Sequence, residues 1–118
     1  MSQQSYHGSC QCQAVKFEAE LDLEATAICN CSRCQRLGWV MAFTPEAKFS
    51  LQQGEGALSQ YTFNKEVIRH QFCATCGIET FAYAKAPDGS NAVAVNVNCL
   101  DGVEPRALKS KMFDGRSR

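Results

Sequence analysis

The sequence predicts an all-β fold built around bound metal, and three observations support this. Apolar and polar residues alternate over many short stretches, which is typical of half-buried strands. Turn residues separate these stretches at regular spacing, and no long amphipathic helix interrupts them. Eight cysteines in 118 residues fall mostly in close groups, an arrangement that suits chelation better than long-range disulfides.

The first predicted strand covers residues 13–21, where every second residue from Val15 to Leu21 is apolar. A short strand at 25–28 follows, and residues 32–37 lack alternation and predict a helical turn that ends at Gly38. Further strands are predicted at residues 39–44, 49–52, 58–63, 67–72, 78–84, 92–97 and 106–112.

Three of these strands carry more specific expectations. The strands at 58–63 and 67–72 flank Asn64-Lys65-Glu66 and predict a hairpin. Alternation in 78–84 places Glu79 on the face opposite Ile78. The valine-rich stretch 92–97 predicts a central strand, and 106–112 predicts an edge strand.

The charge and the hydropathy exclude several classes of protein. Twelve basic residues balance twelve acidic ones, whereas general nucleic-acid binders carry a basic excess. No apolar run approaches the length that spans a bilayer, and the polar residues 1–7 do not predict a signal peptide. We therefore expect one cytoplasmic domain, residues 1–118, that binds neither nucleic acid nor membrane.

Two cysteine pairs predict a structural zinc site. Cys10 and Cys12 can face the same way in an extended segment, and Gly8 relaxes the chain before them. Cys73 and Cys76 have the spacing of a tight turn that presents two sulfurs. Gly77 follows at a position that suits a left-handed conformation. A redox pair is the alternative, but the flanking strands favour chelation. Four thiolates would close the site on all sides.

A third group, Cys29, Cys31 and Cys34, predicts a second zinc with an open fourth position, which is the mark of a catalytic site. Zinc there would bind an incoming thiol and lower its pKa. Spacing alone leaves the grouping open, and four plus three is the simplest division. Cys99 is either a fourth ligand of the second site or a small buried residue at a strand end, and we favour the latter.

Histidines and aromatic residues complete the set of candidates. His7 and His70 each lie three residues before a cysteine. We expect both to support the metal sites or lie at the surface, without binding metal. The aromatic residues expected in the core are Trp39, Phe43, Phe63 and Phe81.

Combined, the motifs resemble the glutathione-dependent formaldehyde-activating enzyme family, also called the GFA or CENP-V domain. The matching segments are Gly8-Ser-Cys-Gln-Cys12 with Ala14-Val15, residues 29–34 with Gly38, and residues 72–78, 95–102 and 113–117. The resemblance covers nearly the whole chain. It implies a β-tent of antiparallel sheets, a structural zinc on Cys10, Cys12, Cys73 and Cys76, and a catalytic zinc on Cys29, Cys31 and Cys34.

The resemblance also implies an activity, the condensation of glutathione with formaldehyde to S-(hydroxymethyl)glutathione, which is a carbon–sulfur lyase reaction run in reverse. Glutathione carries two carboxylates, and Arg33 and Arg36 beside the second cysteine group are tentative contacts for them. Their alternative interpretation is solvated surface charge.

Two other functions remain open: a non-catalytic zinc module that binds a partner through its sheet surface, and a metal or thiol-redox sensor. Closure of the second site by Cys99 would favour the module, and a three-cysteine site would favour the enzyme.

Overall fold

A computed structural model of the chain describes residues 3–65 and 67–117. Glu66 of the predicted hairpin turn, and Met1, Ser2 and Arg118 of the predicted domain, lie outside the described residues. The prediction of an all-β fold of short strands is confirmed. The strands are β1 (Gln4–Ser9), β2 (Lys16–Leu21), β3 (Ala27–Cys29), β4 (Met41–Pro45), β5 (Phe49–Gln53), β6 (Leu58–Tyr61), β7 (Arg69–Cys73), β8 (Glu79–Lys85), β9 (Asn91–Asn96) and β10 (Lys111–Phe113).

One short helix, α1 (Ser32–Leu37), follows β3 and confirms the predicted helical turn. Gly38 ends it at φ 66°, and its N–H bonds to the carbonyl of Cys34 at 2.9 Å. The left-handed conformation explains the glycine, because residues with a β-carbon rarely adopt it. No helix within the described ranges is long and apolar enough to cross a membrane.

The strands form two sheets. A three-stranded antiparallel sheet has the order β1-β2-β5, and a seven-stranded sheet has the order β10-β3-β4-β9-β8-β7-β6. Within the larger sheet, β6 and β7 form the predicted hairpin pair, and β9 takes the predicted central position. The strands pair antiparallel as expected, except that β10 runs parallel to β3 at one edge of the larger sheet.

The main core lies between the two sheets. Phe17 of β2 stacks on Phe49 of β5, with ring centroids 5.6 Å apart, and meets the edge of Phe81 of β8 at 6.5 Å. Val93 and Val95 of β9 are fully buried in the same cluster. The alternation predicted for β2 is confirmed, since Phe17, Ala19 and Leu21 are all buried.

A second apolar cluster covers the other face of the larger sheet. Ala82 of β8 and Ala94 of β9 pack there with Cys34 and Trp39, which lie in and just after α1. Because both faces are covered, β8 is buried continuously from Glu79 to Ala82. Phe81 lies in the main core and Ala82 in this second cluster, so these neighbours face opposite sides of the sheet, as the predicted alternation requires.

Three local predictions are wrong. The polar strand β1 was not expected; it pairs with β2 along its whole length and leaves half of its residues exposed. Cys10 and Cys12 lie in the turn that follows β1, where Gln13 has φ 68°, and are not in an extended strand. In 106–112 the strand begins only at Lys111, because Pro105 starts a 3₁₀ turn.

Of the four aromatic residues predicted to lie in the core, only two are buried. Trp39 and Phe81 are buried, as predicted. Phe43 is 52% exposed, because it alternates along β4 with the buried Ala42 and Thr44. Phe63 is half-buried and stacks on Tyr61 and His70.

Candidate metal centres

All eight cysteines are free thiols, and seven of them form two compact groups. In the first, the sulfur atoms of Cys10, Cys12, Cys73 and Cys76 lie within 4.8 Å of one another. The Sγ of Cys12 is 3.7 Å from the Sγ of Cys10 and 3.7 Å from that of Cys73. The group joins the turn between β1 and β2 to the end of β7, so it connects the two sheets.

Backbone N–H groups point at these sulfurs. Val15 donates to the Sγ of Cys10 at 3.3 Å, and both Thr75 and Cys76 donate to that of Cys73 at 3.4 Å. Gly77, at φ 82°, donates its N–H to the carbonyl of Cys73 at 2.8 Å and closes the turn. Amide donors of this kind stabilise the thiolate, which is the form that binds metal.

The acidities of the first group follow from these contacts. The N–H of Cys76 is the largest influence on the pKa of Cys73, which is lowered. Burial raises the pKa of Cys76, but the amides of Cys12 and Ile78 outweigh it and lower the pKa to about 6. The amide of Ala14 lowers the pKa of Cys12, yet burial and the neighbouring thiols raise it to about 11. A bound cation would favour the ionised form of all four thiols.

The second group contains Cys29, Cys31 and Cys34, whose sulfurs also lie within 4.8 Å of one another. Cys31 is the N-cap of α1, and its Sγ accepts a bond from the N–H of Cys34 at 3.3 Å. The N–H of Cys31 donates to the Sγ of Cys29 at 3.4 Å. Burial raises the pKa of Cys31, but the amide of Cys34 and neighbouring donors lower it overall.

Trp39 supplies a further donor beside this group. Its indole is 2% exposed, and the Nε1–H has no hydrogen-bond partner within the described residues. Trp39 packs in one cluster with Cys34, where burial raises the thiol pKa and the indole opposes that rise. A thiolate at Cys34 is an acceptor suited to this orphaned N–H. Each cysteine group is therefore able to hold a metal ion.

The C-terminal segment covers the second group from outside. A β-carbon built on Gly115 would lie 2.6 Å from the Sγ of Cys29, so only glycine fits there. The side chain of Asn30 donates to Asp114 Oδ1 at 3.0 Å and accepts the N–H of Arg116 at 2.9 Å. The motif at 113–117 was the only sequence signal for this segment, and it did not indicate a contact with the cysteines.

Cys99 lies outside both groups. Its Sγ is half-buried and 3.9 Å from the carbonyl oxygen of Glu79. Burial, supported by the charges of Cys10 and Cys76, raises its pKa to about 12. Within residues 3–65 and 67–117, no fourth cysteine, histidine or carboxylate joins the second group.

The two histidines and the two arginines have distinct surroundings. His7 is exposed, with its Nε2 3.9 Å from Glu18. His70 is buried against Glu79, and neither histidine joins a cysteine group. Arg33 also pairs with Glu79, so its charge is not simply solvated, whereas exposed Arg36 donates to the carbonyl of Ser32 at 2.9 Å.

A cleft of about 400 Å³ opens beside α1. It presents two guanidinium groups and two aromatic rings, and its lining residues are Ser32, Arg33, Arg36, Leu37, Tyr61 and Phe63. Such a combination of cations and apolar walls suits a small acidic ligand.

Comparisons with known proteins identify a family and similar chains. The family model described as glutathione-dependent formaldehyde-activating enzyme matches residues 5–114. An uncharacterised lyase of Schizosaccharomyces pombe is 28% identical over 105 residues, which cover 84% of this chain and 71% of that protein. The crystal structure of a Rhodobacter sphaeroides protein is similar with a TM-score of 0.82 and 33% identity, and the match covers 91% of this chain and 99% of that one.

Proposed function

Because the chain belongs to the glutathione-dependent formaldehyde-activating enzyme family, we propose that it is a zinc-dependent carbon–sulfur lyase that joins a small thiol to an aldehyde. The family match confirms the predicted resemblance. In the direction of adduct formation, the thiol sulfur attacks the carbonyl carbon. A C–S bond forms, the C=O π bond opens, and the proton lost by the thiol ends on the former carbonyl oxygen. With glutathione and formaldehyde the product is S-(hydroxymethyl)glutathione.

The chemistry of the donors supports zinc as the metal. Thiolate sets with short loop spacing are typical zinc ligands in reduced compartments. Zinc on Cys29, Cys31 and Cys34 would supply a position at which a substrate thiol loses its proton. We assign the closed group of four cysteines to a structural zinc, since it leaves no position for substrate.

The observation that carries the proposal is the size of the second group. It holds three cysteines, and Cys99 lies elsewhere. A tetrahedral ion held by three protein ligands has one position for an exogenous thiol. This is the arrangement expected of the enzyme and not of a purely structural module.

The surroundings of the second group suit the reaction. Trp39 and Cys34 are buried, so this side of the group excludes water. The N–H of Cys31 donates to the Sγ of Cys29 and that of Cys34 to the Sγ of Cys31, and such donors favour the thiolate, the form that binds metal. In the cleft beside α1, Arg36 is the cation that has no carboxylate partner among its described contacts, so we assign it to a substrate carboxylate. Arg33 contributes mainly through its pairing with Glu79.

We place this activity in one domain, residues 1–118, in the cytoplasm. Eight free thiols require a reducing compartment to persist as thiols or metal ligands.

The experiment that tests the function is an exchange measurement by NMR with glutathione and isotopically labelled formaldehyde, because the adduct also forms slowly without protein. Zinc-loaded protein is expected to accelerate formation of the adduct above the rate in buffer. Cys31→Ser, with the structural zinc retained, is expected to return the rate to that of buffer. If zinc-loaded protein gives no acceleration, the non-catalytic zinc-binding module becomes the better account.

A further inference from the structure

A buried carboxylate, Glu79, lies at the centre of a chain of polar contacts that neither cysteine group uses. Its side chain has 0% exposure. Oε1 accepts two bonds from Arg33, from Nε at 3.0 Å and from Nη2 at 2.8 Å. Oε2 lies 2.6 Å from the Nδ1 of His70, whose side chain is 3% exposed. This distance is that of a hydrogen bond, in which Nδ1 is the donor when the carboxylate is ionised.

Each partner of Glu79 is itself held in place. The Arg33 guanidinium lies over the ring of Tyr61 at 4.6 Å from its centroid. The ring of His70 stacks on Phe63 with centroids 5.6 Å apart. The backbone carbonyl of Glu79 accepts a bond from Asn96 Nδ2 at 2.7 Å. The network is thus fixed by groups on four separate segments of the chain.

The sequence positions of Arg33 and Glu79 relate this pair to both metal centres. Arg33 stands between Cys31 and Cys34, in the first turn of α1. Glu79 opens β8 three residues after Cys76. The Arg33–Glu79 bonds therefore join the turn that carries the second cysteine group to the strand that leaves the first.

A role in stability alone does not account for this arrangement. Burying a carboxylate is costly, and a buried ion pair is often no more stabilising than apolar residues of the same volume. Its specific benefit is geometric, because a two-point bond, here two N–H groups of one planar guanidinium on a single carboxylate oxygen, orients the guanidinium toward that oxygen. Here that geometry is imposed on the turn whose cysteines must converge on one ion.

We propose that Glu79 is a positioning residue for the second metal centre: through Arg33 it holds the Cys31–Cys34 turn against β8, so that the three thiolates converge before metal binds. The inference rests on the proposed function only in assigning a metal to these three cysteines. It adds a preorganising link between the two centres, which lies outside the ligand sets themselves.

The test measures metal binding without thiol or aldehyde. Zinc affinities of the purified full chain are obtained by competition with a chromophoric chelator, and cobalt(II) is used as a spectroscopic probe of thiolate coordination. Glu79→Gln is expected to weaken the second zinc about 10- to 100-fold, the usual range for residues that orient metal ligands, and to leave the first zinc unchanged. The sulfur-to-cobalt absorption of the second site should weaken in parallel.

Three further variants distinguish a positioning role from a simple folding defect. Arg33→Lys keeps the charge and leaves Glu79 bonded to His70 but removes the two-point bond, and it is expected to weaken the second zinc selectively. Glu18→Gln and Arg69→Lys are the matched controls. Glu18 pairs with exposed His7, and Arg69 stacks on Tyr83 at 4.7 Å as Arg33 does on Tyr61. Both controls should bind two zinc ions as the unaltered protein does.

Several results would overturn the inference. One is an unchanged affinity for the second zinc in both Arg33→Lys and Glu79→Gln. Another is an equal loss of both zinc ions in both variants, because that would indicate a general structural role. An unaltered chain that binds a single zinc would also overturn it. Failure of the proposed function is distinct, because it appears as two bound zinc ions with no acceleration of adduct formation.

Discussion

Cysteine sulfurs in this protein are surrounded by amide donors, and the two groups differ in what they connect. The first group bridges the β1–β2 turn and the end of β7, segments that are distant in the sequence. The second lies within one loop and the helix that follows it. Structural zinc contributes on the order of 10 kcal/mol to folding in small domains. Loss of a ligand should therefore have unequal effects in the two groups.

We predict that Cys31→Ser remains folded with one zinc, whereas Cys76→Ser unfolds or aggregates. Metal content and far-ultraviolet circular dichroism of the purified variants measure this. Cys99→Ser is the control, because Cys99 lies outside both groups and its loss should leave two ions bound. Equal collapse of Cys31→Ser and Cys76→Ser would show that the division of roles is wrong.

At the level of single residues, the sequence identified the cysteines as candidate metal ligands but did not reveal the residues that surround them. Short spacings such as C-x-C and C-x-x-C are visible locally, and the structure brings the corresponding sulfurs together. The partner of Arg33 is 46 residues away, so no local pattern could reveal Glu79. The same holds for Gly115, which lies against Cys29 only because β10 pairs with β3.

Among the elements, the β1–β2 pair has an unusually close contact. Gly8 is the register partner of Phe17, and a β-carbon at Gly8 would lie 2.4 Å from the tip of that ring. The ring cannot move easily, because it is buried against Phe49 and Phe81. The need for a glycine here is therefore steric, in contrast to the prediction that it relaxes the chain before Cys10.

We predict that Gly8→Ala lowers the free energy of unfolding by about 1–3 kcal/mol, the usual cost of overpacking a core. Urea denaturation of the zinc-loaded protein measures it. Gly56→Ala is the matched control, since no atom lies within 4 Å of the added β-carbon. Its unfolding free energy should stay the same or rise slightly. A stability of Gly8→Ala equal to that of the control would contradict the packing argument.

Periodicity was informative for elements with one buried face and uninformative for the rest. It predicted β2, whereas the central position of β9, which is buried on both faces, was indicated by its valine content. It missed β1, whose polar residues are held by backbone pairing with β2. The parallel edge strand β10 has only three residues, too few for alternation to appear. Backbone hydrogen bonding without side-chain burial leaves no signal in hydropathy.

For the molecule as a whole, protons compete with metal for the thiolates, and the two centres should respond at different pH. The first group has four thiols, of which Cys73 and Cys76 have lowered pKa values and Cys12 a raised one. The second has three: burial strongly raises the pKa of Cys34, whereas burial of Cys31 is outweighed by amide and thiol donors that lower its pKa. A raised pKa means that the proton wins at higher pH, and a lowered one means that metal is retained to lower pH.

We predict stepwise release of zinc on acidification, with the second ion lost at higher pH than the first. Titration with a chromophoric chelator follows the release, and circular dichroism should show loss of structure only with the later step. The Cys31→Ser variant should show the later step alone. Simultaneous release of both ions, with loss of structure, would contradict independent centres.

The parallel pairing of β10 with β3 has a consequence for biosynthesis. All residues of the four-cysteine group have been synthesised once Cys76 has been added, so a nascent chain can acquire its first ion while translation continues. The three-cysteine loop emerges from the ribosome earlier, yet Arg116, whose N–H bonds to Asn30 of that loop, follows 86 residues after it. Gly115 therefore reaches the three-cysteine group only after all four cysteines of the first group have been made.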